Sequence, residues 1–91
     1  MRIPAVLTVL GEDRVGIIAA VATTLAESGV NIVDVRQTIL GDIFSMTMLV
    51  TIDEDRSTFS DVQAKLLSVA ESMGLQITLQ REDVFKFMYR V

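Results

Sequence analysis

The 91-residue chain contains no cysteine and no histidine. The first absence excludes disulfides, thiolate metal sites and cysteine nucleophiles. The second removes the commonest acid–base catalyst at neutral pH and the commonest transition-metal ligand. Positive charge is also scarce: eight basic residues against twelve acidic ones leave a net charge of −4. An acidic chain offers a poor footprint to phosphate backbones, so nucleic acid is not an expected partner. Long apolar runs are missing as well. Ile3–Leu10 is short, and Val15–Ala26 is broken by Gly16, Thr23 and Thr24, well below the ~20 residues of a membrane span. With no signal, anchor or cysteine, the expected location is the cytoplasm.

What is present is a globular composition. Hydrophobic residues make up 51% and charged residues 22%, with a single proline and five glycines spread along the chain. That is too apolar for a disordered chain and shows no linker, so residues 1–91 read as a single domain. A domain of this size buries roughly 60–65% of its unfolded surface, enough for one core and no more.

Periodicity divides the chain into six elements and a tail. Ile3–Leu10 is short, β-branched and apolar on both faces, which predicts a central strand. After Gly11-Glu12-Asp13, the residues Ile17, Val21 and Leu25 recur every fourth position from Val15 onward, an amphipathic helix that stops at Ser28-Gly29. Asn31–Leu40 is a strand in which Ile32 and Val35 share a face only if it is bulged. Gly41-Asp42 then turns the chain into Ile43–Ile52, where Phe44, Met46, Met48, Val50 and Ile52 fall on one face. Phe59, Val62, Leu66, Val69 and Met73 define a second helix. Thr58 and Asp61 resemble a capping box at its start, and Gly74 stops it. Leu75, Ile77 and Leu79 alternate as a fourth strand. The tail from Glu82 carries Phe85, Phe87 and Tyr89 and is expected to pack as a short helix. The order β-α-β-β-α-β with right-handed crossovers predicts a ferredoxin-like α+β sandwich. Its four-stranded antiparallel sheet has order 4-1-3-2, with two helices on one face.

A fold of this kind hosts many functions, so the site must come from unusual residues. Gly11-Glu12-Asp13-Arg14-Val15-Gly16-Ile17 is the least economical stretch of the chain. Gly16 in or near a first helical turn costs up to about 1 kcal/mol relative to alanine. Arg14 places a cation where the helix macrodipole disfavours one. Both choices make sense if an anion docks on the helix N–H groups, with Gly16 opening the approach and Arg14 adding charge. The plainer reading makes Gly11 a turn, Asp13 a helix cap and Arg14 a solvated side chain.

The string Val9-Leu10-Gly11-Glu12-Asp13-Arg14-Val15-Gly16-Ile17-Ile18 and the later Leu25-Ala26-Glu27-Ser28-Gly29-Val30-Asn31-Ile32 resemble the ACT domain. With Asp34, Gln37-Thr38 and Phe85…Met88-Tyr89, they are similar to the small free-standing ACT proteins related to the glycine cleavage system repressor. The resemblance covers nearly the whole chain. It implies a regulatory module that pairs with another copy and binds an amino acid between the two. By position it implies ligand contacts from Gly11, Asp13, Arg14, Val15, Gly16 and Ile17, and from Asn31 of the second copy. Gly11 and Asp13 depart from the His and Asn typical of the best-known amino-acid binders, and Val15 replaces a Pro. The residues themselves suit a zwitterion: N–H groups and Arg14 for a carboxylate, and Asp13, Asn31 or Asp34 for an ammonium.

Other readings fit less well. An acylphosphatase-like enzyme would use Arg14 and Asn31, but its glycine-rich cradle is missing and Glu12 and Asp13 repel phosphate. An RNA-binding sheet needs aromatics and basic flanks, and the third strand offers only Phe44. A calcium loop beginning at Asp53 needs Gly and Glu where Thr58 and Ala64 stand. Asp34 and Arg36 are either functional or guards of an edge strand. A self-pairing module without a small molecule remains the competing reading. No catalytic residue, metal or cofactor is expected. The expected partners are a small-molecule ligand, a second copy of the chain as a homodimer, and a protein that receives the output.

Overall fold

In the computed structural model, residues 1–88 are described, and Tyr89, named above, lies outside them. Seven elements follow in order: β1 (Arg2–Glu12), α1 (Ile17–Glu27), β2 (Val30–Leu40), β3 (Ile43–Asp53), α2 (Phe59–Met73), β4 (Gln76–Arg81) and α3 (Glu82–Met88). The four strands form one antiparallel sheet in the order β2-β3-β1-β4. This is the ferredoxin-like arrangement, with β1 central as its two apolar faces require.

The core sits between the sheet and the two long helices. Ala5, Leu7 and Val9 of β1 face Val50, Met48 and Met46 of β3 in register. The helices close over them with Ile17, Val21 and Leu25 from α1 and Val62 and Leu66 from α2. Every second residue of β3 from Phe44 to Ile52 is buried, as the alternation predicts. The register of β2 against β3 slips between Ile32 and Asp34, so Val33 is bulged and both Ile32 and Val35 face the core side.

The helix termini differ. At α2, the Asp61 amide donates to Thr58 Oγ1 at 3.1 Å and the Thr58 amide donates to Asp61 Oδ2 at 3.4 Å, a complete capping box. Gly74 ends the helix at φ 68°. At α1, the cap residue is Gly16 at φ 94°, with no side-chain hydrogen bond and no acid in the first turn.

The tail forms the short helix expected of it, but not all of its aromatics are buried. α3 packs against β1 and β4, and Phe85 is half-buried. Phe87, however, is 75% exposed. Residues two apart on a helix point to nearly opposite sides, so one short helix cannot hide both.

Candidate functional site

The loop between β1 and α1 is built differently from either sequence reading. Gly11 makes no turn: it continues β1 and pairs with Phe44. Its missing side chain leaves room for Leu75, whose Cδ2 would lie 2.6 Å from a Cβ there. Asp13 does not cap α1 with its side chain; instead its amide donates to the Asp42 carbonyl at 2.7 Å, tying the loop to the β2–β3 hairpin. Arg14 is neither stranded nor merely solvated. Its Nη1 donates to the Met73 carbonyl at 3.1 Å, the last residue of α2. A cation at a helix C-terminus complements the dipole, so Arg14 serves the end of α2 rather than opposing the start of α1. Four of its five N–H donors lie outside that bond.

Gly16 carries the correction with the largest consequence. Its φ of 94° belongs to the left-handed region, and a Cβ there would meet nothing within 4 Å. The glycine is required by backbone conformation, not by crowding. Gly16→Ala is therefore expected to lose about 1–2 kcal/mol of stability from left-handed strain alone. Denaturant midpoints measure it, and an unchanged midpoint would show that the loop relaxes at no cost.

The result is an open helix terminus. The first N–H groups of α1 have no intrahelical acceptor, and no side chain caps them. Val15, directly before the cap, is 99% exposed, and Ile18 is exposed just after it. Beside this loop lies an open cleft of about 550 Å³, lined by Leu10, Gly11, Glu12, Asp42, Ile43, Gly74 and Gln76. Its wall comes from three segments far apart in sequence: the end of β1, the β2–β3 turn and the junction of α2 with β4.

The remaining candidates stand apart from the loop. Asn31 pairs with Thr51, which is level with Pro4 on β1. Seven residues of strand separate that level from Gly11, about 23 Å at ~3.3 Å per residue. Asp34 lies midway along the β2 edge, where Oδ1 accepts from Arg36 Nη1 at 2.7 Å and from the Val35 amide at 2.9 Å. One protomer thus gathers Gly11, Asp13, Arg14, Val15, Gly16 and Ile17 at one end of the sheet and leaves Asn31 at the other.

The Asp53-Glu54-Asp55 loop is an ordinary turn. Asp53 Oδ1 accepts from the Asp55 amide at 3.0 Å, and Asp55 faces the chain amino terminus at 3.7 Å. Among the described residues no three metal-ligating side chains converge, and no helix is long and apolar enough to cross a membrane.

Fold and register place the molecule in the class of ferredoxin-like α+β sandwiches whose first crossover loop opens at a sheet end. Within that class the chain belongs to the ACT domain family, typically small-molecule regulatory modules; the family model matches residues 4–80. A UPF0237 protein of Methanococcus maripaludis is 44% identical over 86 residues, covering 94% of this chain and 96% of its own. The solved structure of an ACT domain protein from Streptococcus pneumoniae is similar at TM-score 0.78 and 30% identity, covering 92% of this chain and 94% of that one. A proposed glycine cleavage system transcriptional repressor matches 89% of this chain at TM-score 0.80 and 26% identity, and this chain spans 46% of it.

Proposed function

We propose that this protein is a regulatory module that senses a small metabolite, an amino acid by class, at the interface of a homodimer. One observation supports the reading above others: the candidate ligand residues lie at opposite ends of one protomer. Antiparallel pairing of two β2 edges sets the start of one β2 against the end of the other. Asn31 of a second copy then approaches the loop from Gly11 to Ile17, and the two sheets join into one of eight strands. The β2 edge suits such pairing. Val33, Ile39 and Leu40 are exposed along it, more apolar surface than an isolated edge strand ordinarily presents. The bare α1 terminus and the free donors of Arg14 then suit a carboxylate, while Asp13 or Asn31 accepts from an ammonium; Asp34, midway along β2 and bonded to Arg36, is the less suited alternative. The output passes by contact to another protein.

The competing reading, self-pairing with no small molecule, draws on Val15: a fully exposed valine at the loop tip suits a protein contact as well as a ligand. Light scattering and a thermal-shift panel of the twenty amino acids, with hits confirmed by calorimetry, separate the two. Scattering is expected to give twice the 10.0 kDa of one chain or a larger even multiple. At least one amino acid is expected to raise the melting temperature by mass action on the folded state. A dimer with no hit across the panel supports the competing reading. A monomer at tens of micromolar overturns both.

A further inference from the structure

Cationic side chains are few, and four of the seven among the described residues are already engaged. Arg14 donates to a helix-end carbonyl, Arg36 pairs with Asp34, Arg81 with Asp83 and Lys86 with Glu82. Arg2, Arg56 and Lys65 have no hydrogen-bond or ion-pair partner for their side chains among the described residues. Two of these three line the same cleft. Arg2 and Arg56 border a polar hollow of about 320 Å³ with Gly29, Asn31, Thr51 and Asp53, at the end of the sheet opposite the β1–α1 loop. Arg2 and Asp53 are cross-strand partners, as are Asn31 and Thr51, so strand pairing fixes the floor.

Arg56 reaches this hollow from the turn after β3, where its amide donates to the Asp53 carbonyl at 2.9 Å. The inner end of its guanidinium lies over Gly29: a Cβ on that glycine would be 2.6 Å from Nε, 2.7 Å from Cζ and 2.9 Å from Cδ. A side chain held against backbone loses less freedom when it binds than one swinging in solvent. Two arginines with no ion-pair partner among the described residues border one hollow with a single carboxylate, Asp53, a local excess of positive charge on a protein of net charge −4.

We infer that this hollow is an oxyanion-binding site for a carboxylate or phosphate group of a small metabolite. Arg2 and Arg56 supply forked donors, Asn31 and Thr51 supply an amide and a hydroxyl, and Asp53 at the rim accepts from a hydroxyl or ammonium on the same molecule. Both arginines come from one protomer, and the hollow shares Asn31 with the interface proposed above.

The test follows the arginine Nε–Hε and backbone amide resonances of the full chain by ¹H–¹⁵N spectroscopy. Inorganic phosphate and acetate are titrated separately at constant ionic strength. Saturable shifts of Arg2 and Arg56 are expected, with half-saturation below about 10 mM for at least one anion. Saturation by phosphate alone identifies a phosphate site, and by acetate alone a carboxylate site. Arg56→Gln and Arg2→Gln are each expected to weaken the response at least about tenfold, whereas Lys65→Gln, which removes the same charge elsewhere, leaves it unchanged. Linear shifts spread over all arginines, or equal weakening by Lys65→Gln, would overturn the site.

Discussion

Leu66→Ala is expected to destabilise the fold by about 2–5 kcal/mol, the range for truncating a large aliphatic side chain in a packed core. Leu66 lies at the centre of the α2 stripe, is 1% exposed and belongs to the cluster that joins both helices to β1 and β3. The cluster draws on several elements, so the cavity is not expected to close by moving one helix alone. A chain of this size holds only about 5–14 kcal/mol of net stability, and the loss removes a large part of it. The thermal midpoint should fall by at least about 8 °C. The neighbouring residue provides the control. Leu67 is 55% exposed, and Leu67→Ala is expected to stay within about 0.5 kcal/mol. Similar losses for the two variants would mean that α2 presents a different face to the sheet.

That prediction rests on a pattern already legible in the sequence, as does most of the fold. The spacing of Val62, Leu66 and Val69, the alternation from Phe44 to Ile52 and the capping pair Thr58 and Asp61 are each set by residues within a few positions of one another. Even the β2 bulge is readable, because Ile32 and Val35 cannot both face the core without it. Features that depend on partners distant in sequence were not readable. Arg14 looks misplaced at the start of α1 because its acceptor, the Met73 carbonyl, is 59 positions away. Gly16 looks like a poor helix residue because composition does not reveal a φ of 94°. The hollow containing Arg2 and Arg56 joins a strand start to a turn after another strand, and no local motif marks it. The one available signal was the tally of charges: Arg2 has no acid close to it in sequence, and Arg56 follows three acids, none of which pairs with it. Phe87 failed for the opposite reason. Aromatic content suggested burial, but the tail helix is too short to offer two inward faces.

Gly29→Ala tests a residue whose conformation and neighbour act together. Gly29 follows the end of α1 at φ 72°, with its amide donating to the Ala26 carbonyl at 3.1 Å, a helix termination that glycine adopts without strain. Alanine there meets two penalties. The left-handed backbone costs about 1–2 kcal/mol, and the new Cβ falls on the Arg56 side chain, 2.6 Å from Nε and 2.7 Å from Cζ. Arg56 is exposed and can swing away, so the steric part is smaller than a clash with backbone would be. The sum is expected to be about 1–3 kcal/mol. A double-mutant cycle with Arg56→Ala separates the two parts. Once Arg56 is truncated, Gly29→Ala should retain its backbone penalty while its cost falls by at least about 0.5 kcal/mol. Denaturant midpoints on the four proteins give the coupling directly. Strict additivity would show that Arg56 does not rest on Gly29 in solution. It would also remove the argument that this arginine is held in place for an anion. A cost that vanishes altogether in the Arg56→Ala background would place the whole effect in side-chain contact and none in the left-handed backbone.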